Sequence, residues 1–363
     1  MNVTSRPSLL YQRLFGTSVK IGAIIREVLI TIGILFALLE LVAFIMAVRL
    51  NRTITRSVAD LYDANTEIDR GNFAHRIKVT RHDQLAALSS SFNRMSESLE
   101  RLLEQQREKD RLESELAIAQ EVQNNLFPHT DLHLPSLELY GICKPARTVS
   151  GDYYDFLLVG RTDLCLAMGD ISGKGISAAL LMASLHSAVR AYSFAGEEVG
   201  EVDRAAGPFS SPGQMLGLLN RHLYRSTQPE KYATLFLAHY DSETRALTYS
   251  NGGQLPPFVL CANGSIRRLE CGGSVVGLLD GLSYEQASVT LDPGDILIAY
   301  SDGVTEPEND FGDFGEERLL EIVARNRHLA LPSIASHVLQ ALRAWIGEGE
   351  QPDDITLVLA RQG

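Results

Sequence analysis

From Val28 to Val48 the chain reads VLITIGILFALLELVAFIMAV, 21 residues with a single charge at Glu40. A helix rising ~1.5 Å per residue covers ~30 Å over that length, the thickness of one hydrocarbon core. A signal peptide would carry a shorter apolar stretch and a small-residue cleavage site. A buried core helix is seldom this long or this evenly apolar. The run is therefore expected to be a transmembrane helix at 28–48, behind an N-terminal segment 1–27 too short for a folded extracytoplasmic sensor. Either the natural N-terminus is longer, or sensing lies within the membrane. Glu40 either faces a partner helix or sits protonated or near an interface.

The formal net charge of −12 is unevenly spread. Residues 1–56 carry Arg6, Arg13, Lys20, Arg26, Arg49, Arg52 and Arg56 against Glu27 and Glu40, which leaves the rest of the chain near −17. Such an acidic body excludes nucleic acid as a natural partner, since that needs a basic face. Basic residues flank the apolar run on both sides, four before and three soon after, so charge leaves the orientation open. Cys143, Cys165, Cys261 and Cys271 show neither a CxxC spacing nor a nearby histidine set. They read as small thiols in a reducing compartment rather than as a metal or disulfide site.

Beyond the span, Ile54, Val58, Leu61, Asn65 and Ile68 step by four and three, a heptad stripe that DRGN then breaks. Leu85, Leu88, Phe92, Met95, Leu99 and Leu102 form a second stripe. Two short heptad helices cannot bury their seams alone, so a dimeric four-helix bundle is expected; a monomeric hairpin is the other reading. This stretch, 49–102, resembles a HAMP signalling linker, with IDRGNFAHRI as connector and DQLAALSSSFNRM opening the second helix. In HAMP linkers the bundle passes conformational change from membrane to effector. Leu112, Leu116, Ala119 and Leu126 resume an apolar spacing three residues out of phase, the mark of a locally overwound coiled coil over 103–128 that LFP closes.

After Leu137 the texture becomes short apolar runs between Gly, Pro and Asp turns. LCLAM, ATLFLAHY, ALTYS, PFVL and DILIAY read as strands. SAALLMASLHSAVRAYS, PGQMLGLLNRHLYRS, EERLLEIVARN and LPSIASHVLQALRAWIG read as amphipathic helices. Strands with grouped helices predict an α+β sandwich over 129–363. The stretch Gly196–Gly213 reads as a surface loop.

Three of these strands carry a carboxylate at one end. Leu164–Met168 stops at Gly169–Asp170, Ile296–Tyr300 stops at Ser301–Asp302, and Ile355–Leu359 begins after Asp353–Asp354. If the last strand runs antiparallel to the other two, its start meets their ends and the acids converge at one edge of a sheet. Asp152, in VSGDYYDF, is a fourth candidate. Carboxylates held together repel one another and call for cations. An all-oxygen donor set without His or Cys suits Mg²⁺ or Mn²⁺ rather than Zn²⁺. Gly169, Gly173, Gly175 and Gly303 would let the backbone turn tightly beside the ions.

These residues carry a second resemblance. AIAQEVQNNLFP, PARTVSGDYYDF, GDISGKGISAALLMA, YATLF, YSNGGQLPPFVL, LDPGDILIAYSDGVTEPEN and DDITLVLAR occur in this order over about 116–361. Together they resemble the PPM class of metal-dependent serine/threonine phosphatases, in the bacterial branch of sporulation stage II protein E and the sigma-factor regulatory phosphatases. The resemblance implies a β-sandwich flanked by helices and two ions, Mn²⁺ or Mg²⁺. It implies that Asp152, Asp170, Asp302 and Asp353 are metal ligands, with the backbone carbonyl of Ile171; Asp170 and Asp302 are also the candidate catalytic residues. Asp354 takes over if Asp353 points away. The ions would acidify a shared water that attacks phosphorus in line with the leaving oxygen, with no phosphoenzyme.

Two positions depart from the pattern. Ser172 stands where eukaryotic members often have a histidine, and Gly252 and Gln254 stand where this branch usually has Ala and His. The second change is expected to tune fold or specificity. Lys174 either holds substrate phosphate or is a solvated loop lysine. His186 and His222 lie on helical stretches and read as packed or solvated. The implied whole is a single-pass protein of the cell (inner) membrane with a cytoplasmic phosphatase domain, dimeric through its HAMP and coiled-coil region. Its implied substrate is a phosphorylated regulatory protein of the anti-sigma-factor-antagonist type. A catalytically silent relay that only binds partners, and a hydrolase of small phosphate esters, are the competing readings.

Overall fold

The computed structural model describes residues 7–80, 83–128, 134, 136–159, 163–194 and 211–363, with side chains given from residue 21 onward. It divides into two units, Met1–Asp110 and Arg111–Gly363. In the first, α1 (Pro7–Asp69) is a single helix of 63 residues, so the N-terminal segment, the apolar run and the first heptad stripe share one element. No proline follows Pro7 within it, and nothing else there interrupts the backbone hydrogen bonds. Its apolar window has a mean hydropathy of 2.8 and no buried residue, which makes it long and apolar enough to cross a membrane.

The chain reverses at Gly71, where φ is +85°, and the connector then lies along α2 (Gln84–Asn124). Asn93 of α2 grips both backbone groups of Ile77, accepting its N–H and donating to its carbonyl at 2.9 Å each. Ser96 donates to the carbonyl of Phe73 at 2.8 Å. Ile54, Val58, Leu88, Met95, Leu99 and Leu102 of the two heptad stripes remain exposed. The helix ends at Asn124 rather than at the LFP sequence, because the chain turns at Asn125–Phe127 before Pro128 is reached.

The second unit holds the strands β1 (Leu137–Lys144), β2 (Asp152–Val159), β3 (Asp163–Ile171), β4 (Ala233–Asp241), β5 (Ala246–Gly252), β6 (Phe258–Leu260), β7 (Ile266–Arg268), β8 (Gly272–Gly273), β9 (Ala287–Thr290), β10 (Ile296–Tyr300), β11 (Glu308–Asn309), β12 (Gly312–Asp313) and β13 (Ile355–Gln362). Its helices are α3 (Ile176–Phe194), α4 (Pro212–Ser226), α5 (Asp302–Thr305), α6 (Gly315–Asn326) and α7 (Leu331–Ile346). One sheet runs β1-β13-β10-β6-β7 and the other β2-β3-β4-β5-β8, with β9 also on β5. The architecture is the α+β sandwich expected from the sequence.

Alternation along the strands builds the layers. Tyr154, Phe156, Leu166, Met168 and Phe236 face Val259, Leu297, Ala299 and Val358 in the cluster between the sheets. Their neighbours Tyr153, Leu157, Cys165 and Ala167 pack instead under Met182, Leu185 and Val189 of α3 and Leu216 and Leu219 of α4. On the far side Ile298, Tyr300, Leu357 and Leu359 pack under α6 and α7. Covered on both faces, β3 and β13 read as continuous apolar runs instead of alternating ones.

Most of the Gly196–Gly213 stretch lies outside the described residues. At its end Pro212 and Gly213 already belong to α4, whose N-cap Ser211 accepts from Gln214 N–H.

Candidate active site

Strand pairing, more than any single motif, assembles the carboxylates. Asp152, the first residue of β2, is the direct antiparallel partner of Asp170 near the end of β3. In the other sheet β10 runs antiparallel to β13, which sets Asp302, just after β10, beside the residues just before β13. The acids thus come from both sheets at one end of the sandwich, and the expectation of a single sheet edge is corrected. β3 and β13 run as expected for strand ends and starts to meet, but they belong to different sheets.

Asp152 is 2% exposed, and its Oδ2 is buried without a hydrogen-bond partner. Burial, and then the neighbouring Asp170, push its carboxyl well above the usual carboxylate range. Asp170 is raised to about 7, first by burial and then by Asp302 and Asp353. Asp302 is raised by burial and by Asp353. Burial is the first cause in all three, and a neighbouring carboxylate adds to it in each.

Asp353 and Asp354 have different work. Asp354 accepts Ala146 N–H at 2.7 Å through Oδ1, and Ser150 O–H at 2.7 Å and Gly151 N–H at 2.8 Å through Oδ2. Both of its oxygens are committed to the turn before β2. Asp353 is half-exposed and pairs with Lys174 Nζ at 2.7 Å. Lys174 is an exposed loop lysine whose ammonium lies against one of the acids.

Glycine makes these approaches possible at two places. A Cβ on Gly303 would stand 2.1 Å from the carbonyl oxygen of Asp354, so the turn after β10 closes on the head of β13 only without a side chain. A Cβ on Gly151 would meet Asp170 Oδ1 at 3.1 Å and the Ile171 carbonyl oxygen at 3.3 Å, which marks a small cradle lined by two oxygens.

The donor set fits a hard divalent cation: oxygen throughout, one buried oxygen without a partner, and a cradle at Gly151. Among the described residues, no three His, Cys, Asp or Glu side chains stand close enough to cage an ion as they lie.

Neutral side chains brace the site from behind, and most had no assigned role in the sequence. Gln254 accepts from Thr234 Oγ1 at 2.5 Å and donates to the carbonyl of Tyr300 at 3.2 Å. It thereby joins β4, next to Asp170, to the end of β10, next to Asp302. Ser301 Oγ donates to the Asp354 carbonyl at 3.0 Å and accepts Thr356 N–H at 2.9 Å. Ser172 Oγ accepts Tyr232 N–H at 2.9 Å, so it serves the loop and not the acids. His186 is buried on α3 beside Asp155, and His222 lies on α4 edge-on to Tyr192.

The family model for stage II sporulation protein E (SpoIIE) matches residues 160–362, and that for the HAMP domain matches 49–101. Protein IcfG of Synechocystis sp. is 30% identical over 84% of this chain and 51% of its own length. The chain thus spans about half of that relative. Phosphoserine phosphatase RsbU of Bacillus subtilis is 27% identical over 69% of this chain and 71% of its own. Among solved structures, the SiaA-PP2C domain of Pseudomonas aeruginosa superposes with a TM-score of 0.58 at 21% identity, covering 70% of this chain and 98% of that one. That likeness is one of fold.

Proposed function

Because the chain belongs to the stage II sporulation protein E (SpoIIE) family and carries a HAMP domain, we propose that it is a membrane-anchored signalling phosphatase. It removes phosphate from phosphoserine or phosphothreonine on a regulatory protein. The observation that carries this reading is the meeting of Asp152, Asp170, Asp302 and Asp353 from two sheets at one end of the sandwich. The similarity to a protein named phosphoserine phosphatase, RsbU, supports the same substrate class.

In this reading Asp152, Asp170, Asp302 and Asp353, with the Ile171 carbonyl, hold two divalent cations, Mn²⁺ or Mg²⁺. Bound there, the pair supplies an acidified water and neutralises charge on the phosphoryl oxygens. Asp170 and Asp302, both partly exposed, face the reacting group. Asp354 orients: its three accepted hydrogen bonds fix the turn that delivers Asp152. In the same reading Lys174 meets an incoming phosphate; its contact with Asp353 supports this.

The exposed heptad residues of α1 and α2 support a homodimer, and the apolar stretch of α1 supports membrane anchoring with the phosphatase unit in the cytoplasm. The substrate class that fits is a small phosphorylated regulator of the anti-sigma-factor-antagonist type.

Phosphate release by the full chain in lipid nanodiscs tests this. Phosphoserine, phosphothreonine and phosphotyrosine peptides and a small aryl phosphate are compared under Mn²⁺, Mg²⁺ or EDTA. The expected outcome is metal-dependent turnover of the serine and threonine peptides, with a loss of at least about 100-fold in Asp302→Asn. Turnover of the aryl ester alone would favour a small-ester hydrolase. No metal-dependent turnover of any substrate would favour the silent relay.

A further inference from the structure

The last turn of α2 reaches the candidate site through one side chain. Gln123 is 4% exposed, and its amide is wholly spent on Ser150. Nε2 donates to the Ser150 carbonyl at 2.7 Å, and Oε1 accepts the Ser150 N–H at 2.8 Å. Ser150 lies in the turn between β1 and β2, outside the strand pairings of either. Buried backbone groups need partners, and here a helix side chain supplies both.

Ser150 passes that constraint on. It has no exposed surface, and its hydroxyl donates to Asp354 Oδ2 at 2.7 Å while accepting Asp152 N–H at 3.0 Å. The next residue, Gly151, donates to the same Asp354 oxygen at 2.8 Å and accepts Ile171 N–H at 3.3 Å. From Gln123, then, Ser150 and its neighbour Gly151 lead to Asp152, Asp354 and the carbonyl cradle at Ile171.

We infer that Gln123 is a positioning residue of the phosphatase site: it holds the Ser150–Gly151 turn so that Asp152 is aimed beside Asp170. This role rests on the reading of Asp152 and Asp170 as cation-holding carboxylates. Side chains that orient metal ligands from behind typically set affinity for the ion by ~10–100-fold. Gln123 acts through Ser150 and touches neither ion nor substrate. A shift of the last turn of α2 would open the same turn, so the site would respond to where that helix ends.

The test uses the full chain in nanodiscs and the free Mn²⁺ signal by electron paramagnetic resonance. Wild type, Gln123→Met, Gln123→Glu and Asp152→Asn are titrated, with melting temperature and amide exchange of residues 150–152 alongside. Methionine keeps the volume and loses both hydrogen bonds. Glutamate keeps an acceptor for the Ser150 N–H but sets an oxygen against its carbonyl.

The expected order of Mn²⁺ affinity is wild type, then Glu, then Met. Gln123→Met should bind at least about tenfold more weakly, with faster exchange at 150–152 and near wild-type turnover at saturating Mn²⁺. If Gln123→Met bound Mn²⁺ within twofold of wild type while Asp152→Asn lost it, the positioning role would be overturned and the carboxylate site would stand. Unchanged binding in Asp152→Asn would overturn the carboxylate reading and this role with it. Should Gln123→Met fail to fold, Gln123→Glu is judged on the same twofold criterion.

Discussion

His186 stands on α3 with its Nε2 3.6 Å from Asp155 Oδ2 and its ring edge-on to Tyr153. Burial holds the imidazole below its ordinary value of 6.5; Asp155 pulls the other way and Arg190 opposes that pull. The folded chain therefore takes up this proton at lower pH than the unfolded chain does. Stability is complete above about 6.5 and is lost as pH falls through that value, by at most ~1.4 kcal/mol per pH unit. Urea unfolding at pH 7.5 and 5.5 should register the loss, and His186→Leu should reduce the difference between the two. An equal difference in the variant would place the effect elsewhere. At this scale the carboxylates stand out only as a set: a single Gly-Asp or Ser-Asp pair ending an apolar run reads as a turn or a helix cap, and it is four in this order that point to a site. The choice between Asp353 and Asp354 was not legible. Adjacent acids look alike until Ala146, Ser150 and Gly151 are seen to donate to only one of them. Gln123 was equally silent, since a side chain that satisfies distant backbone leaves no local pattern.

α3 is fastened to β2 by a charge pair whose carboxylate is buried and whose guanidinium is partly exposed. Asp155 has no exposed surface, and Arg190 donates to it through two nitrogens, at 2.9 and 3.0 Å. The pair matters to the site because α3 follows directly on the loop of Asp170 and Lys174. Arg190→Met would take the guanidinium from the buried Asp155, which keeps Phe156 N–H, the Tyr153 hydroxyl and His186 beside it, a loss of about 3 kcal/mol. Urea denaturation reads it directly, and Arg190→Lys should recover only part, since lysine cannot make the two-pronged contact. A change below ~1 kcal/mol in Arg190→Met would show that the pair contributes little. Elements with long apolar or amphipathic runs were legible: β3, β4, β10, α6 and α7 fall within a few residues of their sequence patterns. Short strands such as β7, β8, β11 and β12 were not, because two or three residues carry no periodicity. The end of α2 was read too late, since a proline forbids helix beyond it without requiring helix up to it.

Over the whole molecule, the sequence marks strand ends but not the sheet each strand joins. β1 pairs with β13 from the opposite end of the unit, and β10 lies between β13 and β6. Such non-local pairing is written in how two buried faces fit, which no single window of residues contains. The meeting of acids was foreseen, while their origin in two sheets was not. That origin has a consequence: the acids meet only when the sheets are docked, with Gln254 bridging Thr234 of one sheet to Tyr300 of the other. The helical unit adds one helix long and apolar enough to cross a membrane and a set of exposed heptad residues. The central claim is that acids from both sheets make one centre for two cations. Electron paramagnetic resonance of the Mn²⁺-loaded full chain in nanodiscs tests it most directly. The account predicts two Mn²⁺ per chain with the spectrum of an exchange-coupled pair, lost in both Asp152→Asn and Asp302→Asn. Isolated single-ion spectra, or a pair signal that survives both substitutions, would contradict it.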